Sequence, residues 1–526
     1  MWNGLKYAGI LAGMLCGMTT VSAAQHTQTN QTAPQRTAQS EASIGLNKFD
    51  LLKQYLGTAS GGDGSIEYRR VTRAMGEKAI ADAHNIGVKY LRVAATGFAP
   101  ITYGQRGDLD LWRSDARSYW AIIDEMMSDL AANEVKIIPS FVWNLRQFPS
   151  MMGEEVSDLI KNPESKSYRM LIKYVQEFVK RYKGHPALMF YELGNELNLK
   201  ADVDNEARCQ PRRAACTAKD NFSTDDLILF TSRLAGLIKG LDSAHAISSG
   251  YSAPRPSAQH LRLRPEWFDS KSMLEADTVE EFQTYLLDTH ANVDIISAHL
   301  YPFEGQRFGS KDPVEFLSVL KAATDRIKKP LFVGEFGQVN VLTLKPGSYP
   351  ERIMSKIVEL HVPYSAAWVW EFYQGNPYTT YDTKPDSFNL EPGYTDRLIE
   401  KLKQANSELG NPVPTPMGAD TTVPRLVLTW PIECTQLKVK QKIYAVASDD
   451  RGKVSRVEFW LDSSKLKADD APPYEFDLST NSLAKGDHEI IAKAVDLAGN
   501  QSEWKTTVFV EQPSPGSFCA SATRQH

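Results

Sequence analysis

The chain has 526 residues, which is too long for one ordinary domain and predicts two or three folded units. Hydrophobic residues make up 42% and charged residues 23%, as in soluble globular proteins with a core of normal size. The formal net charge of −5 leaves no basic excess to neutralise phosphates, so nucleic acid is excluded as an expected partner.

The first residues have the pattern of a secretion signal. Lys6 supplies a positive charge, residues 7–18 are apolar but too few to span a bilayer, and small residues at 21–24 suit signal peptidase. We therefore expect residues 1–24 to be removed and the mature protein to be secreted without a membrane anchor. A short buried helix is the alternative interpretation. Residues 25–43 are rich in Gln, Thr, Ala and Ser and predict a flexible leader.

Helical and β-rich segments then alternate over residues 44–410. The predicted helices are Arg73–Asn85, Ser118–Asn133, Tyr168–Tyr182, Thr224–Leu241, Pro313–Lys328, Pro350–Leu360 and Tyr394–Leu409. The predicted strands are Ile44–Phe49, which is weak, Lys89–Ala94, Lys136–Val142, Leu188–Leu193, Ala246–Gly250, Val293–Ala298, Leu331–Gly334 and Ala366–Trp370. This alternation predicts a parallel sheet, and its length and count favour a (β/α)8 TIM barrel of the α/β class. A doubly wound sheet is the alternative, but no Gly-x-Gly-x-x-Gly follows a strand.

A second, all-β unit follows a break in composition. Repeated prolines predict an extended linker over 411–423. Residues 424–512 contain short strands separated by turn residues, which predicts a small β-sandwich, and 513–526 would be a C-terminal tail. The pattern from Val457 to Asn500 resembles the Ig-like modules of secreted bacterial enzymes. We expect the barrel to stay active without this module, unless the sandwich covers an apolar barrel face.

The cysteines fit an exported protein. Cys16 would leave with the signal, and the other four form the local pairs Cys209 with Cys216 and Cys434 with Cys519. An even number in an exported chain predicts two disulfides, with free thiols as the alternative. Neither CxxC spacing nor HExxH or clustered His and Asp residues are present, so we expect no metal and no cofactor.

Two carboxylates lie where two predicted strands end. Glu196 follows the fourth strand and Glu335 follows the seventh. Catalytic groups of (β/α)8 barrels lie at the carboxyl ends of the strands, and glycosidic cleavage requires two carboxyl groups. One such glutamate alone would be an ordinary loop residue, but two of them in one barrel indicate a catalytic pair. Glu192, one turn deeper, is interpreted as buried structure.

With these residues, the segment 44–410 resembles clan A glycoside hydrolases, and within them family 5. The matching positions are Arg92, Asn195 with Glu196, His299 with Tyr301, Glu335 and Trp370, in strand order. The resemblance implies a retaining hydrolase in which Glu196 is the acid/base and Glu335 the nucleophile. In this interpretation Arg92 keeps the nucleophile ionised, Tyr301 donates to it, Asn195 binds the sugar 2-hydroxyl, His299 orients a neighbour or contacts sugar, and Trp370 lies under the cleaved sugar.

The loop after the third strand bears on the substrate. It carries Trp143 and Asn144 after Val142, a partial match to the mannan-cleaving members, in which Asn precedes Trp. We therefore expect a monomeric enzyme that acts internally on a β-1,4-linked polysaccharide, with mannan as the first candidate and glucan as the second. A transglycosylase would use the same two glutamates. A non-catalytic carbohydrate-binding or adhesion protein is the alternative from another class.

Overall fold

The computed structural model describes residues 42–58, 64–97, 107–208, 217–302, 307–376, 380–385, 388–413, 418–451 and 453–522. The expected signal peptide, nearly all of the expected leader and the pair Cys209 and Cys216 lie outside these residues. Among the helices that are described, none is both long enough and apolar enough to cross a membrane.

Eight parallel strands form the centre of the first domain. They are β1 (Ser43–Asn47), β2 (Tyr90–Ala94), β3 (Lys136–Val142), β4 (Tyr191–Gly194), β5 (Ile247–Ser248), β6 (Ile296–Leu300), β7 (Leu331–Phe336) and β8 (Tyr364–Ala367). Their order is β5-β4-β3-β2-β1-β8-β7-β6, and a parallel bridge between Ser248 and Ile295 nearly closes the ring. The predicted (β/α)8 barrel is thus confirmed, and the open doubly wound sheet is excluded.

Helices surround this barrel and cover its strands. They are α1 (Leu51–Leu56), α2 (Ile66–Asn85), α3 (Asp110–Ser114), α4 (Ala116–Ala132), α5 (Gln147–Met152), α6 (Val156–Lys161), α7 (Lys166–Tyr182), α8 (Thr224–Leu241), α9 (Ala258–Leu263), α10 (Val279–Thr289), α11 (Pro313–Ile327), α12 (Tyr349–Glu359) and α13 (Asp396–Glu408). A hairpin, β9 (Tyr373–Asn376) and β10 (Thr380–Pro385), precedes α13. Helix α10 was not among the predicted helices. Its signal was the capping box between Thr278 and Glu281.

The barrel interior has an apolar lower layer and a polar upper layer. Tyr90 and Phe190 pack with other apolar residues in the lower layer. Two residues further along the chain from each are Arg92 of β2 and Glu192 of β4, both fully buried. Alternate residues of a strand face the same side, so each strand brings an apolar residue and then a polar one into the barrel. This alternation sets the charged groups at the carboxyl end of the sheet.

The C-terminal domain is a sandwich of two sheets. Its strands are β11 (Arg425–Trp430), β12 (Thr435–Gln436), β13 (Lys440–Ser448), β14 (Val454–Leu461), β15 (Ser464–Asp469), β16 (Tyr474–Ser479), β17 (Gly486–Asp496) and β18 (Gln501–Val510), followed by α14 (Phe518–Ala522). One sheet has the order β11-β13-β16 and the other β12-β18-β17-β14-β15. The predicted disulfide between Cys434 and Cys519 is present and ties the end of the chain to the sandwich.

The sandwich packs directly against the barrel through an apolar contact. Val71 and Met75 of α2 lie in one buried cluster with Trp430, Tyr444 and Val446 of the sandwich. Beside this cluster, the Ser448 hydroxyl donates a 2.8 Å hydrogen bond to Asp82 at the far end of α2. The sandwich therefore covers an apolar face of the barrel. This is the condition under which we expected the barrel to depend on the sandwich.

Candidate active site

A buried guanidinium connects the polar groups at the mouth of the barrel. Arg92 donates to both oxygens of Glu192, with its shortest contact at 2.7 Å, and donates to Glu335 Oε1 at 2.7 Å. It also donates to Asn47 Oδ1 at 3.0 Å and to Asn195 Oδ1 at 2.8 Å. One rigid fork of five N–H groups thus sets the positions of residues from β1, β4 and β7. Glu192 is the buried structural partner that the sequence indicated.

Glu335 at the end of β7 is held at both of its oxygens. Arg92 donates to Oε1, and the Tyr301 hydroxyl donates to Oε2 at 2.7 Å. Burial, followed by the charge of Glu335, raises the pKa of Tyr301 well above its ordinary value, so this hydroxyl stays protonated and remains a donor. Glu335 is 5% exposed, and the charge-assisted hydrogen bonds that it accepts fix the orientation of its carboxylate.

Glu196 lies in a different environment. It follows β4 in the left-handed region, with φ 52°, and its N–H donates to the Gly250 carbonyl at 2.8 Å. Gly250 itself has φ +70°, and a Cβ there would lie 1.7 Å from the carbonyl oxygen of residue 194, so only glycine fits. Burial raises the pKa of Glu196 above its ordinary value, while Ser252 and Arg92 oppose the change. This carboxyl group is therefore disposed to carry a proton.

His299 on β6 lies between the two glutamates. Its Nδ1 is 3.0 Å from Glu196 Oε1 and 3.5 Å from Glu335 Oε2, and the three ligating atoms all lie within 4.8 Å of one another. Burial lowers the pKa of His299 to about 4, so the ring is neutral near pH 7. Gly334 makes room for this ring, because a Cβ at that position would lie 2.8 Å from His299 Nε2.

The same three side chains are of the types that bind metal ions, but their partners do not suit a cation. Arg92 places a permanent positive charge 2.7 Å from Glu335, and Tyr301 occupies the other oxygen of that carboxylate. A metal ion bound to Glu335 would have to displace the Tyr301 hydroxyl or the Arg92 guanidinium and lie beside the group that remains. The arrangement instead suits two carboxyl groups in different protonation states.

Aromatic side chains line one side of the site. The rings of Phe49 and Trp368 stack at 5.0 Å, and Trp143 stacks on Phe49 at 5.7 Å. The Arg92 guanidinium lies 4.6 Å from the centre of the Trp143 ring. Trp143 and Trp368 are both half-buried, so part of each side chain remains accessible at this side of the site. Trp143 was predicted for this site, whereas Trp368 was not.

The prediction for Trp370 is wrong in its placement. Trp370 is fully buried, and its indole N–H donates to the Ala79 carbonyl of α2 at 2.8 Å. Strand β8 ends at Ala367, earlier than expected, and Trp368 rather than Trp370 emerges beside Phe49. The two tryptophans are separated by one residue in the sequence, so strand position alone could not distinguish them.

Two predicted amides lie beside the site in different roles. Asn195 is half-buried, and its Oδ1 accepts from Arg92, which fixes the amide plane. Asn144 is also half-buried, but its Oδ1 accepts the N–H of Arg146 at 3.0 Å and supports its own loop. Sequence reasoning missed Asn47, whose Nδ2 donates to the carbonyls of Gly334 and Ala366 and so braces β7 and β8. Its position at the end of the first strand was the available signal.

Comparisons with known proteins agree with the two-domain architecture. Residues 424–492 match the family model described as a bacterial Ig domain. No curated protein matches the chain. Among solved structures, the chain is similar to an endo-β-1,4-mannanase from Thermotoga petrophila, with 15% identity and a TM-score of 0.46 over 90% of this chain and 98% of that one.

Two further solved structures come from Rhizomucor miehei. An endo-1,4-β-mannanase has 15% identity and a TM-score of 0.46 over 70% of this chain and 95% of its own. A mutant of a family 5 glycoside hydrolase described as a mannosidase has 13% identity and a TM-score of 0.47, over 71% and 96% of the two chains. The chain thus combines a (β/α)8 barrel, as its own strand order shows, with a C-terminal domain that matches the bacterial Ig model.

Proposed function

We propose that the protein is a secreted retaining glycoside hydrolase that cleaves a β-1,4-linked polysaccharide. The observation that carries this proposal is the pairing of Glu196 and Glu335, of which one carboxylate oxygen each lies within 4.8 Å of the other. Retaining enzymes have carboxyl groups about 5–5.5 Å apart, whereas inverting enzymes need about 6.5–9.5 Å to admit a water molecule. The unequal surroundings of the two groups support different roles.

In the first step, Glu335 attacks the anomeric carbon as a carboxylate, and the bond to the leaving oxygen breaks. Glu196, whose pKa is raised by burial, donates its proton to that oxygen. The Arg92 and Tyr301 hydrogen bonds hold the nucleophile in one orientation. In the second step, Glu196 removes a proton from water, which attacks the glycosyl-enzyme and releases the sugar with retained configuration.

Mannan is the first candidate substrate and β-1,4-glucan the second, with endo cleavage proposed for both. The preference for mannan rests on the loop with Trp143 and Asn144, and Trp143 lies in the aromatic wall of the site. A panel of mannan, glucomannan, carboxymethylcellulose and β-1,3-glucan, with product sizing, tests both the substrate and the endo mode. Transfer to a sugar acceptor instead of water would identify a transglycosylase.

Two variants distinguish the roles of the glutamates. In Glu335→Ala no glycosyl-enzyme can form, so activity should fall by orders of magnitude on every substrate, and azide should restore turnover with an inverted product. In Glu196→Ala the loss should be severe on polysaccharide but smaller in the first step on an activated aryl glycoside. Azide should then speed the second step and give a retained product.

The matched control is Glu400→Ala on α13, whose side chain is 67% exposed. It should retain full activity. If both active-site variants respond alike to natural and activated substrates, the assigned roles are wrong. If both keep full activity, the protein is not a hydrolase that uses this pair, and the carbohydrate-binding alternative would be favoured.

A further inference from the structure

Three aspartates meet where the linker enters the Ig-like domain, next to Ser448, whose hydroxyl contacts the barrel. Asp420 precedes β11, and Asp449 with Asp450 directly follows β13. One carboxylate oxygen from each lies within 4.8 Å of the other two. Residues from separate chain segments thus bring three negative charges to one point.

Two carboxylate oxygens of these aspartates have no hydrogen-bond donor. Asp449 Oδ1 and Asp450 Oδ1 are inaccessible to solvent and unpaired, although Asp449 Oδ2 accepts the N–H of Arg451 at 3.0 Å. Asp449 as a whole is only 9% exposed. A buried carboxylate oxygen without a donor is costly, because it loses hydration and gains no partner. Such a group calls for a ligand that supplies positive charge.

The neighbouring side chains do not balance the charge. Arg451 lies 3.7 Å from Asp420, but its guanidinium donates to the carbonyls of residues 418 and 419. Asp496 adds a fourth carboxylate, with both oxygens occupied by Asn500. One arginine therefore faces four acidic groups.

We propose that Asp420, Asp449 and Asp450 form a calcium site that fastens the linker to the Ig-like domain. Ca²⁺ takes oxygen ligands in flexible geometry, and loops with several carboxylates suit it. The three aspartates offer oxygen atoms alone, without the His or Cys ligands that zinc favours. The site is structural and separate from the pair of glutamates in the barrel.

The position of the site gives it a defined consequence. Ser448, adjacent to Asp449, donates to Asp82 of helix α2, so the same turn contacts both the proposed ion and the barrel. An ion held by the linker residue Asp420 and by the turn would restrain the entry to the sandwich next to this contact. Calcium should therefore stabilise the junction between domains as well as the sandwich.

Calcium titration of the full-length protein tests the proposal. Isothermal calorimetry should give a dissociation constant in the range of about 10⁻⁴–10⁻³ M that is typical of extracellular calcium modules. The melting temperature should rise by about 2 °C or more between excess EGTA and about 10 mM Ca²⁺. Mg²⁺, which demands stricter octahedral geometry, should give a smaller shift.

Substitutions separate an ion site from a merely structural cluster. Asp449→Asn should abolish the calcium shift, while its melting temperature in EGTA should equal or exceed that of the wild type, because a buried unpaired charge is removed. Asp450→Asn, at a half-buried position, provides a second variant with the same expectation. The control Asp477→Asn, whose side chain is 79% exposed, should keep the shift.

Absence of both heat and a thermal shift up to about 10 mM Ca²⁺ would overturn the proposal. A calcium shift that persists in Asp449→Asn and Asp450→Asn would place the ion elsewhere and overturn it equally. Neither outcome bears on the glycosidase proposal, because that activity is assayed in EGTA with the unsubstituted protein.

Discussion

His299 Nδ1 lies 3.0 Å from Glu196 Oε1, and this contact joins the proposed acid/base, which follows β4, to β6, which Tyr301 directly follows. Because burial lowers the pKa of His299 to about 4, the ring makes this contact as a neutral group. A neutral ring can hold the Glu196 carboxyl group in place without adding a positive charge. A positive charge there would favour loss of the Glu196 proton. The contact is thus compatible with a carboxyl group that must remain protonated.

The pH dependence of activity should follow Glu196. Its pKa is raised by burial, and the group must be protonated in the first step, so kcat/KM should fall as pH rises through that raised pKa. Glu196→Gln, assayed on an activated aryl glycoside, should lose this alkaline limb. His299→Asn should keep the limb while kcat falls. An unchanged alkaline limb in Glu196→Gln would contradict the assignment.

The two tryptophans near the end of β8 should respond oppositely to substitution. Trp368 is half-buried beside Phe49, so Trp368→Ala should reduce kcat/KM by about tenfold or more with a small change in melting temperature. Trp370 is fully buried, so Trp370→Ala should cost about 3–5 kcal/mol of unfolding free energy. Kinetics and chemical denaturation of the two variants make the comparison. Equal loss of stability in both would place Trp368 in the core instead.

Removal of the sandwich should destabilise the barrel. Truncation after residue 413 exposes Val71 and Met75 of α2 and removes the Ser448 donor from Asp82. Each fully buried apolar side chain of this size contributes about 1.5–3 kcal/mol. We therefore expect a lower melting temperature and poorer yield of the truncated barrel than of the whole protein. A truncated barrel with unchanged melting temperature would show that the module is independent.

A less drastic variant tests the same contact. Val446→Asp introduces a charge into the apolar cluster between α2 and the sandwich and should lower the melting temperature of the full-length protein. Ser464→Asp, at an exposed position at the start of β15, serves as the control and should have a small effect. Comparable losses in both would mean that the sandwich tolerates charge poorly everywhere.

The disulfide should contribute to stability through the loop that it closes. Cys434 and Cys519 are 85 residues apart, so their bond restricts the unfolded chain strongly. The double variant Cys434→Ser with Cys519→Ser should lose about 2–4 kcal/mol of unfolding free energy. Chemical denaturation with and without reductant measures the loss. Reductant should lower the unfolding free energy of the unsubstituted protein but not that of the double variant. Thiol titration of the exported protein separately tests the expected bond between Cys209 and Cys216.

Local sequence patterns determined most of the architecture. Period-two and helical runs placed the strands β2, β3 and β7 and the helix α8 close to their observed bounds, since these segments bury continuous apolar faces. Glu196 and Glu335 were chosen as candidates because each comes at the end of such a run, and the carboxyl ends of barrel strands are where catalytic groups lie. The short helices α5 and α6 were missed, because six residues carry too little periodicity to be recognised.

Only the tertiary structure decided which neighbours these side chains have. The sequence could not show that β8 ends before Trp368, so that Trp368 lies beside Phe49 while Trp370 is buried, because the two residues share one face of a regular strand and only the path of the chain after the strand separates them. Nor could it bring Asp420 beside Asp449, or Ser448 beside Asp82, because these contacts join segments far apart in the chain. Local patterns report which face of a segment is buried, whereas the partner of that face is set by how the segments pack together.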